Sequence, residues 1–265
     1  MPNATLNGLN FHFERAGSGP PLLFISGTGG DLRVQPNVFA SPLAKAFDLL
    51  AYDQRGLGRT DKPDVPYSMA QYADDAAALL DHVGWDQVAV IGVSFGGMVA
   101  QELVLRHPQR VKRLVLACTS PGGAGGASYP FHEIEHLTGE ARARFLMPIS
   151  DTRRDAAWQA ANAEDYERFI ELASADPFAG EPGRAEGAHR QLEARARHDT
   201  WDRLDQIACP VLIAAGRYDG IALPATQEKM AARIPGAELR WYEGGHLFML
   251  QDRAAYREIA AFLAG

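Results

Sequence analysis

Short apolar runs alternating with helical stretches most constrain what this chain can fold into. Residues 22–25, 88–91, 114–117 and 211–214 are near-continuous runs of Leu, Val, Ile, Ala and Phe with no polar face. Such runs are expected of parallel strands buried on both sides. Residues 47–52 and 238–242 add two further strand candidates, and residues 5–15 read as a hairpin around Asn7-Gly8. Helical patterns lie between them. Residues 68–83 open with Ser68 and Gln71 in capping-box spacing and stop at Gly84. Residues 95–107 end before Pro108, Pro224 can open another helix that Gly236 follows, and residues 252–263 form the last. This order predicts an α/β fold, with a mostly parallel central sheet covered by helices on both faces.

One stretch breaks the alternation. Residues 121–126, Pro-Gly-Gly-Ala-Gly-Gly, have the composition of a flexible linker, and residues 129–199 show helical patterns without a convincing strand. We therefore expect a core made of residues 1–120 and 201–265, with residues 121–200 as a helical cap inserted over the sheet. The cap holds nine Arg, no Lys and fourteen Asp or Glu, so it is not a basic patch. The whole chain carries a net charge of -7, which argues against a nucleic-acid partner. No apolar run approaches a membrane span, and residues 1–8 lack the basic and apolar parts of a secretory signal. The two cysteines, Cys118 and Cys209, make no disulfide framework. A cytoplasmic protein is expected, and a homodimer is left open.

The chemistry concentrates at strand ends. Gly92-Val93-Ser94-Phe95-Gly96 matches G-x-S-x-G between a buried-strand pattern and a helix, the context a nucleophile elbow requires. Small residues let the backbone turn sharply, so that the Ser94 hydroxyl projects above the sheet. A serine needs a base, and the base needs an orienting acid. Of eight histidines, His246 follows Gly244-Gly245 at the end of the 238–242 strand, while Asp219 follows the 211–214 strand. The rival acid position after residue 117 offers only Cys118-Thr119-Ser120. The oxyanion hole needs two backbone donors, for which we select the N–H groups of Phe95 and Thr28, with Gly29 as the alternative. Leu247 and Phe248, beside the base, are expected as pocket walls, and Gly29, Trp158 and Tyr129 as further pocket candidates.

These residues resemble the α/β-hydrolase family, and the resemblance covers nearly the whole chain. Asp53-Gln54-Arg55-Gly56-Leu57-Gly58-Arg59-Thr60 is similar to that family's D-x-R-G-x-G-x-S loop, with Thr60 replacing Ser. The overall pattern is similar to small carboxylesterases and to 3-oxoadipate enol-lactonase-like hydrolases. The resemblance implies the triad Ser94, Asp219 and His246 and a helical cap. Many members begin the oxyanion loop with His-Gly, and here it begins Ser26-Gly27. That keeps the backbone donor but removes a histidine that supports the loop.

Other motifs point elsewhere. His132-Glu133-Ile134-Glu135-His136 is a literal H-E-x-x-H, which on a helix would set two histidines on one face for zinc. The third-ligand position is Arg142, which cannot bind a metal as a cation, and Glu164 is the acidic substitute. Gly27-Thr28-Gly29-Gly30 begins like a dinucleotide loop, but Leu32 stands where the last glycine belongs. The expected activity is that of a serine hydrolase cleaving a small carboxylic ester or lactone through an acyl-enzyme, with no metal and no organic cofactor. The alternatives are carbon–carbon hydrolysis of a β-diketone-type compound with the same triad, a cofactor-free perhydrolase, and a non-catalytic or slow-turnover binding protein.

Overall fold

The computed structural model describes residues 2–265. Eight strands form one sheet in the order β1-β2-β4-β3-β5-β6-β7-β8. They are β1 (Asn3–Leu6), β2 (Leu9–Ala16), β3 (Pro21–Ile25), β4 (Asp48–Tyr52), β5 (Val88–Val93), β6 (Val111–Ala117), β7 (Val211–Gly216) and β8 (Glu238–Tyr242). The hairpin β1-β2 forms as expected. Asn7 and Gly8 both have positive φ, the pair of angles a two-residue hairpin turn of matching twist requires. From β4 to β8 every neighbouring pair is parallel.

The continuous apolar runs follow from this topology. Successive side chains of a strand point to opposite faces. In β5, Val88 and Val90 join one core while Ala89 and Ile91 join the other. Neighbouring strands divide in the same way, with Leu114 and Leu116 on one side and Val115 and Ala117 on the other. Helices cover both faces. Among the described residues the helices are α1 (Leu43–Ala46), α2 (Met69–His82), α3 (Phe95–Arg106), α4 (Gly139–Ser150), α5 (Ala156–Ala161), α6 (Ala163–Ser174), α7 (Arg184–Ala196), α8 (Pro224–Arg233), α9 (Phe248–Gln251) and α10 (Ala255–Ala264). Residues of α2, α3 and α8 fill one core, and those of α1, α9 and α10 the other. The capping box of Ser68 and Gln71 opens α2. The final helix is split, because Asp252 turns back to accept from the Glu243 and Ala254 amides.

Between β6 and β7 lie α4 to α7 and, among the described residues, no strand. The glycine-rich run at 121–126 is not the flexible linker its composition predicts. The Thr200 amide donates to the Pro121 carbonyl at 2.8 Å, so the entry and exit of the 121–200 segment lie side by side. Side chains on Gly123 and Gly125 would collide with Asp199 and the Trp201 ring. Here glycine allows close approach rather than freedom. Among the described residues, no helix is long and apolar enough to cross a membrane.

Glycine packing at the β5–α3 junction is testable. A methyl on Gly96 would overlap the Ile25 carbonyl, a backbone group that cannot step aside, whereas nothing lies within 4 Å of the Cβ position of Gly84. Gly96→Ala is expected to cost about 3 kcal/mol in urea unfolding, the upper range for overpacking. Gly84→Ala has only its left-handed backbone to strain and should cost about 1 kcal/mol. Equal costs would mean that the junction relaxes.

Candidate active site

The centre of the site is the turn between β5 and α3. Ser94 sits at φ 55° and ψ -115°, a conformation side chains rarely adopt. Its backbone is held on both sides. The Ser94 amide donates to the Ala117 carbonyl at 2.8 Å, and its carbonyl accepts from the Thr119 hydroxyl at 2.7 Å and from the amides of Gly97 and Met98. Gly92 lies against the Gly96 carbonyl, and a methyl on Gly97 would come within 2.5 Å of Thr119 Cβ. With its main chain anchored, the residue presents its hydroxyl at the carboxyl end of the sheet.

His246 reaches that hydroxyl from the β8 loop, with Nε2 2.9 Å from Ser94 Oγ. Its Nδ1 lies 2.8 Å from Asp219 Oδ2 on the β7 loop. Asp219 is buried, and its other oxygen accepts from the amides of Ile221 and Ala222 at 2.8 and 2.9 Å. Those amides hold the carboxylate in one orientation, leaving Oδ2 for the ring. Cys118, also beside Asp219, is fully enclosed, and burial pushes its thiol well above the ordinary range. It is therefore a protonated packing group, not a second nucleophile.

The end of α4 braces both loops, a feature no sequence motif signals. The Ser150 carbonyl accepts from the His246 amide at 2.6 Å, and the Ile149 carbonyl from the Gly220 amide at 3.0 Å. Gln251 accepts from the Gly245 amide and donates to the buried Asp151. Gly244 and Gly245 fit because any side chain there would meet Phe248 or Ser150.

Beside Ser94 runs the 26–30 loop, with the Cβ position of Gly27 3.5 Å from Ser94 Cβ. Among the described residues, the amides of Thr28 and Phe95 have no protein acceptor, whereas the Gly29 amide donates to Gln191 Oε1 on α7 at 2.8 Å. The support that a histidine would give at position 26 comes instead from Gln54. Its Nε2 donates to the Ser26 carbonyl at 2.8 Å and to the Ser26 hydroxyl at 3.2 Å. Asp53, next to it, accepts from the Leu32 and Arg59 amides, and Arg55 pairs with Asp75 through two bonds. Thr60 donates to the Asp53 carbonyl, so the hydroxyl, rather than serine itself, serves the loop.

Of two cavities, one borders the site. The larger, about 430 Å³, borders His246 and is lined mainly by apolar side chains, among them Phe24, Val38, Val93, Leu247 and Tyr256. The smaller, about 70 Å³, lies between α3 and the 121–200 segment, among Met98, Ser120, Tyr129, Leu192, Arg195 and His198. Leu247 and Tyr129 thus line cavities. Phe248 does not: it is fully buried and stacked on Tyr242, with ring centroids 5.0 Å apart, because α9 turns it into the core. Trp158 lines neither cavity and lies beneath Arg154 on α5. The H-E-x-x-H segment is not an α-helix. Phe131–Ile134 forms a single 3-10 turn, so His132 and His136 do not share a face, and no metal-ligating cluster forms among the described residues.

A family model for the alpha/beta hydrolase fold matches residues 20–252. The chain is 31% identical over 240 residues to a poly(3-hydroxyalkanoate) depolymerase of Ectopseudomonas oleovorans, covering 90% of this chain and 82% of that protein. It is 29% identical to 3-oxoadipate enol-lactonase 2 of Acinetobacter baylyi, covering 89% of this chain and 85% of that one. The crystal structure of the enol-lactonase from Burkholderia xenovorans LB400 superposes with a TM-score of 0.80 at 24% identity, over 100% of both chains. The chain belongs to the α/β-hydrolase fold family. Its relatives place it among hydrolases, and those named above include a depolymerase and a lactonase.

His198 supplies a pH test of this part of the molecule. Burial pulls its ring down to about 4, with the Ser120 backbone and Asp199 opposing and Arg203 and Arg195 adding to the shift. An unfolded histidine titrates near 6.5. Between those values the unfolded chain binds the extra proton, so stability falls as pH drops from about 6.5 to about 4. His198→Gln should flatten this part of the stability curve in urea unfolding; an unchanged slope would assign the titration to another group.

Proposed function

We propose that the protein is a serine hydrolase that cleaves a small carboxylic ester or lactone through an acyl-enzyme on Ser94. The observation that carries this reading is the unbroken chain from Ser94 Oγ through both ring nitrogens of His246 to Asp219, at 2.9 and 2.8 Å. His246 takes the serine proton as the hydroxyl attacks the carbonyl carbon. Asp219 holds the ring in the tautomer with Nδ1 protonated and stabilises the imidazolium. The free amides of Phe95 and Thr28 donate to the developing oxyanion, and the amino end of α3 adds its dipole. His246 then protonates the leaving alcohol, and water attacks the acyl-serine by the reverse path. This sequence of steps needs no metal and no organic cofactor. Residues 121–200 act as the cap that shapes the substrate space, and the partner is a small molecule. The relatives named as a lactonase and a depolymerase support ester or lactone chemistry over the other uses of such a triad.

The test is hydrolysis of p-nitrophenyl acetate and butyrate, with EDTA present. Ser94→Ala should lower kcat/KM at least about 10³-fold. Full activity in that variant would remove Ser94 as the nucleophile. Inactivity of the wild type on both esters, and on a simple lactone, would remove the ester hydrolase reading.

Gln54→Leu tests the loop support. The Thr28 amide stays in place chemically but loses its fixed position, so kcat should fall about tenfold with little change in KM. An unchanged kcat would mean that Asp53 alone holds the loop.

A further inference from the structure

The buried face of α7 carries polar groups whose hydrogen-bonding capacity is unused. Gln191, Arg195 and, just beyond the helix, His198 are spaced four and three residues apart, which aligns them on one side. All three are buried, and among the described residues Gln191 Nε2, Arg195 Nε and both ring nitrogens of His198 lack a well-formed hydrogen bond, with the Ser120 backbone near the His198 ring. The hydroxyl of Ser120, which lines the same cavity as Arg195 and His198, is also buried and unpaired. Native proteins leave few such groups, and three of them around one cavity mark a place where a ligand's atoms are missing.

Charge identifies the ligand. Among the described residues two arginines are buried, and Arg55 is neutralised by Asp75. Arg195 has no acidic partner among those residues. It donates to the Tyr129 carbonyl at 2.9 Å and to the Ser128 hydroxyl at 2.7 Å, and it lies over the Phe131 ring. The nearby charge acting on it is another cation, Arg142. Burial lowers Arg195 to about 10, which leaves it charged at neutral pH. A buried, unpaired guanidinium is costly unless an anion meets it. Net charge of -7 gives no long-range help to an acidic substrate, so attraction must come from this local, desolvated cation.

We propose that the cavity between α3 and α7 is a carboxylate subsite, so that the substrate is an ester or lactone carrying a free acid group. The subsite rests on the hydrolase reading for what is cleaved, but not for what is bound. Arg195 pairs with the carboxylate, and the neutral His198 ring and the Ser120 hydroxyl donate to its remaining lone pairs. The cavity of about 70 Å³ suits a planar acid on a short stem and excludes a ring. Met98, one turn along α3 from Ser94, forms one wall of this cavity. The apolar cavity at His246 is left for the other arm of the substrate.

The experiment compares γ-butyrolactone-γ-carboxylate with its primary amide, measuring binding by calorimetry to the Ser94→Ala protein, where no turnover occurs. The acid should bind at least tenfold tighter than the amide. Arg195→Met added to that background should bring the two within threefold. Equal binding of acid and amide when Arg195 is present overturns the proposal, and that arm needs no arginine variant to fold. A preference that survives Arg195→Met, in a protein whose circular dichroism shows it folded, overturns the assignment to this cavity, as does failure of both compounds to bind. Acid preference in a protein whose wild type hydrolyses neither the p-nitrophenyl esters nor a lactone would retain the subsite and remove the hydrolase reading. Hydrolysis without acid preference would do the reverse.

Discussion

A single strained backbone turn organises the site. Ser94 at positive φ is tolerated because both its amide and its carbonyl are bound, to Ala117 and to Thr119, Gly97 and Met98. Strain of this kind persists only where the surroundings over-determine it. Here β5, β6 and α3 meet with almost no space, and glycine at 92, 96 and 97 is what allows the meeting. Once the turn is fixed, the serine hydroxyl, the amide of Phe95 and the start of α3 have defined positions. Every other part of the site is brought to that point.

The loops that converge on it are held by buried polar bonds more than by apolar packing. Asp53 and Gln54 restrain the 26–32 loop, Asp219 is fixed by two amides, and the end of α4 ties down the loops carrying His246 and Asp219. Each such bond leaves one fewer buried group unpaired, and a satisfied polar network enforces a unique geometry. Among the exceptions, Arg195 on α7 and His198 just beyond it share one cavity with Ser120.

Legibility in the sequence tracks the range of the interaction involved. The strand runs, the Asn7-Gly8 turn and the Ser68–Gln71 cap were readable because each depends on neighbours a few residues away. That Ser94, Asp219 and His246 would come together was expected because short motifs at strand ends have a stereotyped local geometry, and the three side chains do meet. The glycine run at 121–126 misled, since composition signals flexibility while its partners, Asp199 and Trp201, lie far along the chain. Phe248 and Trp158 misled for a similar reason: adjacency to a functional residue, or a bulky ring, does not say which way a helix turns its side chain. H-E-x-x-H carries no zinc chemistry because its spacing has meaning only on an α-helix, and that segment is a 3-10 turn.

Composition and local pattern therefore determined the fold class and where along the chain the reactive groups stand, because strand, helix and turn preferences are short-range effects. Tertiary structure alone decided how the missing loop histidine is replaced by Gln54, which helix end braces His246, and where a buried cation goes unpaired. Those depend on residues far apart in the chain meeting in space, as Gln54 meets Ser26, His246 meets Ser150 and Arg195 meets Tyr129. Pairing at that distance is set by packing of the whole sheet and its helices, and no local pattern carries it.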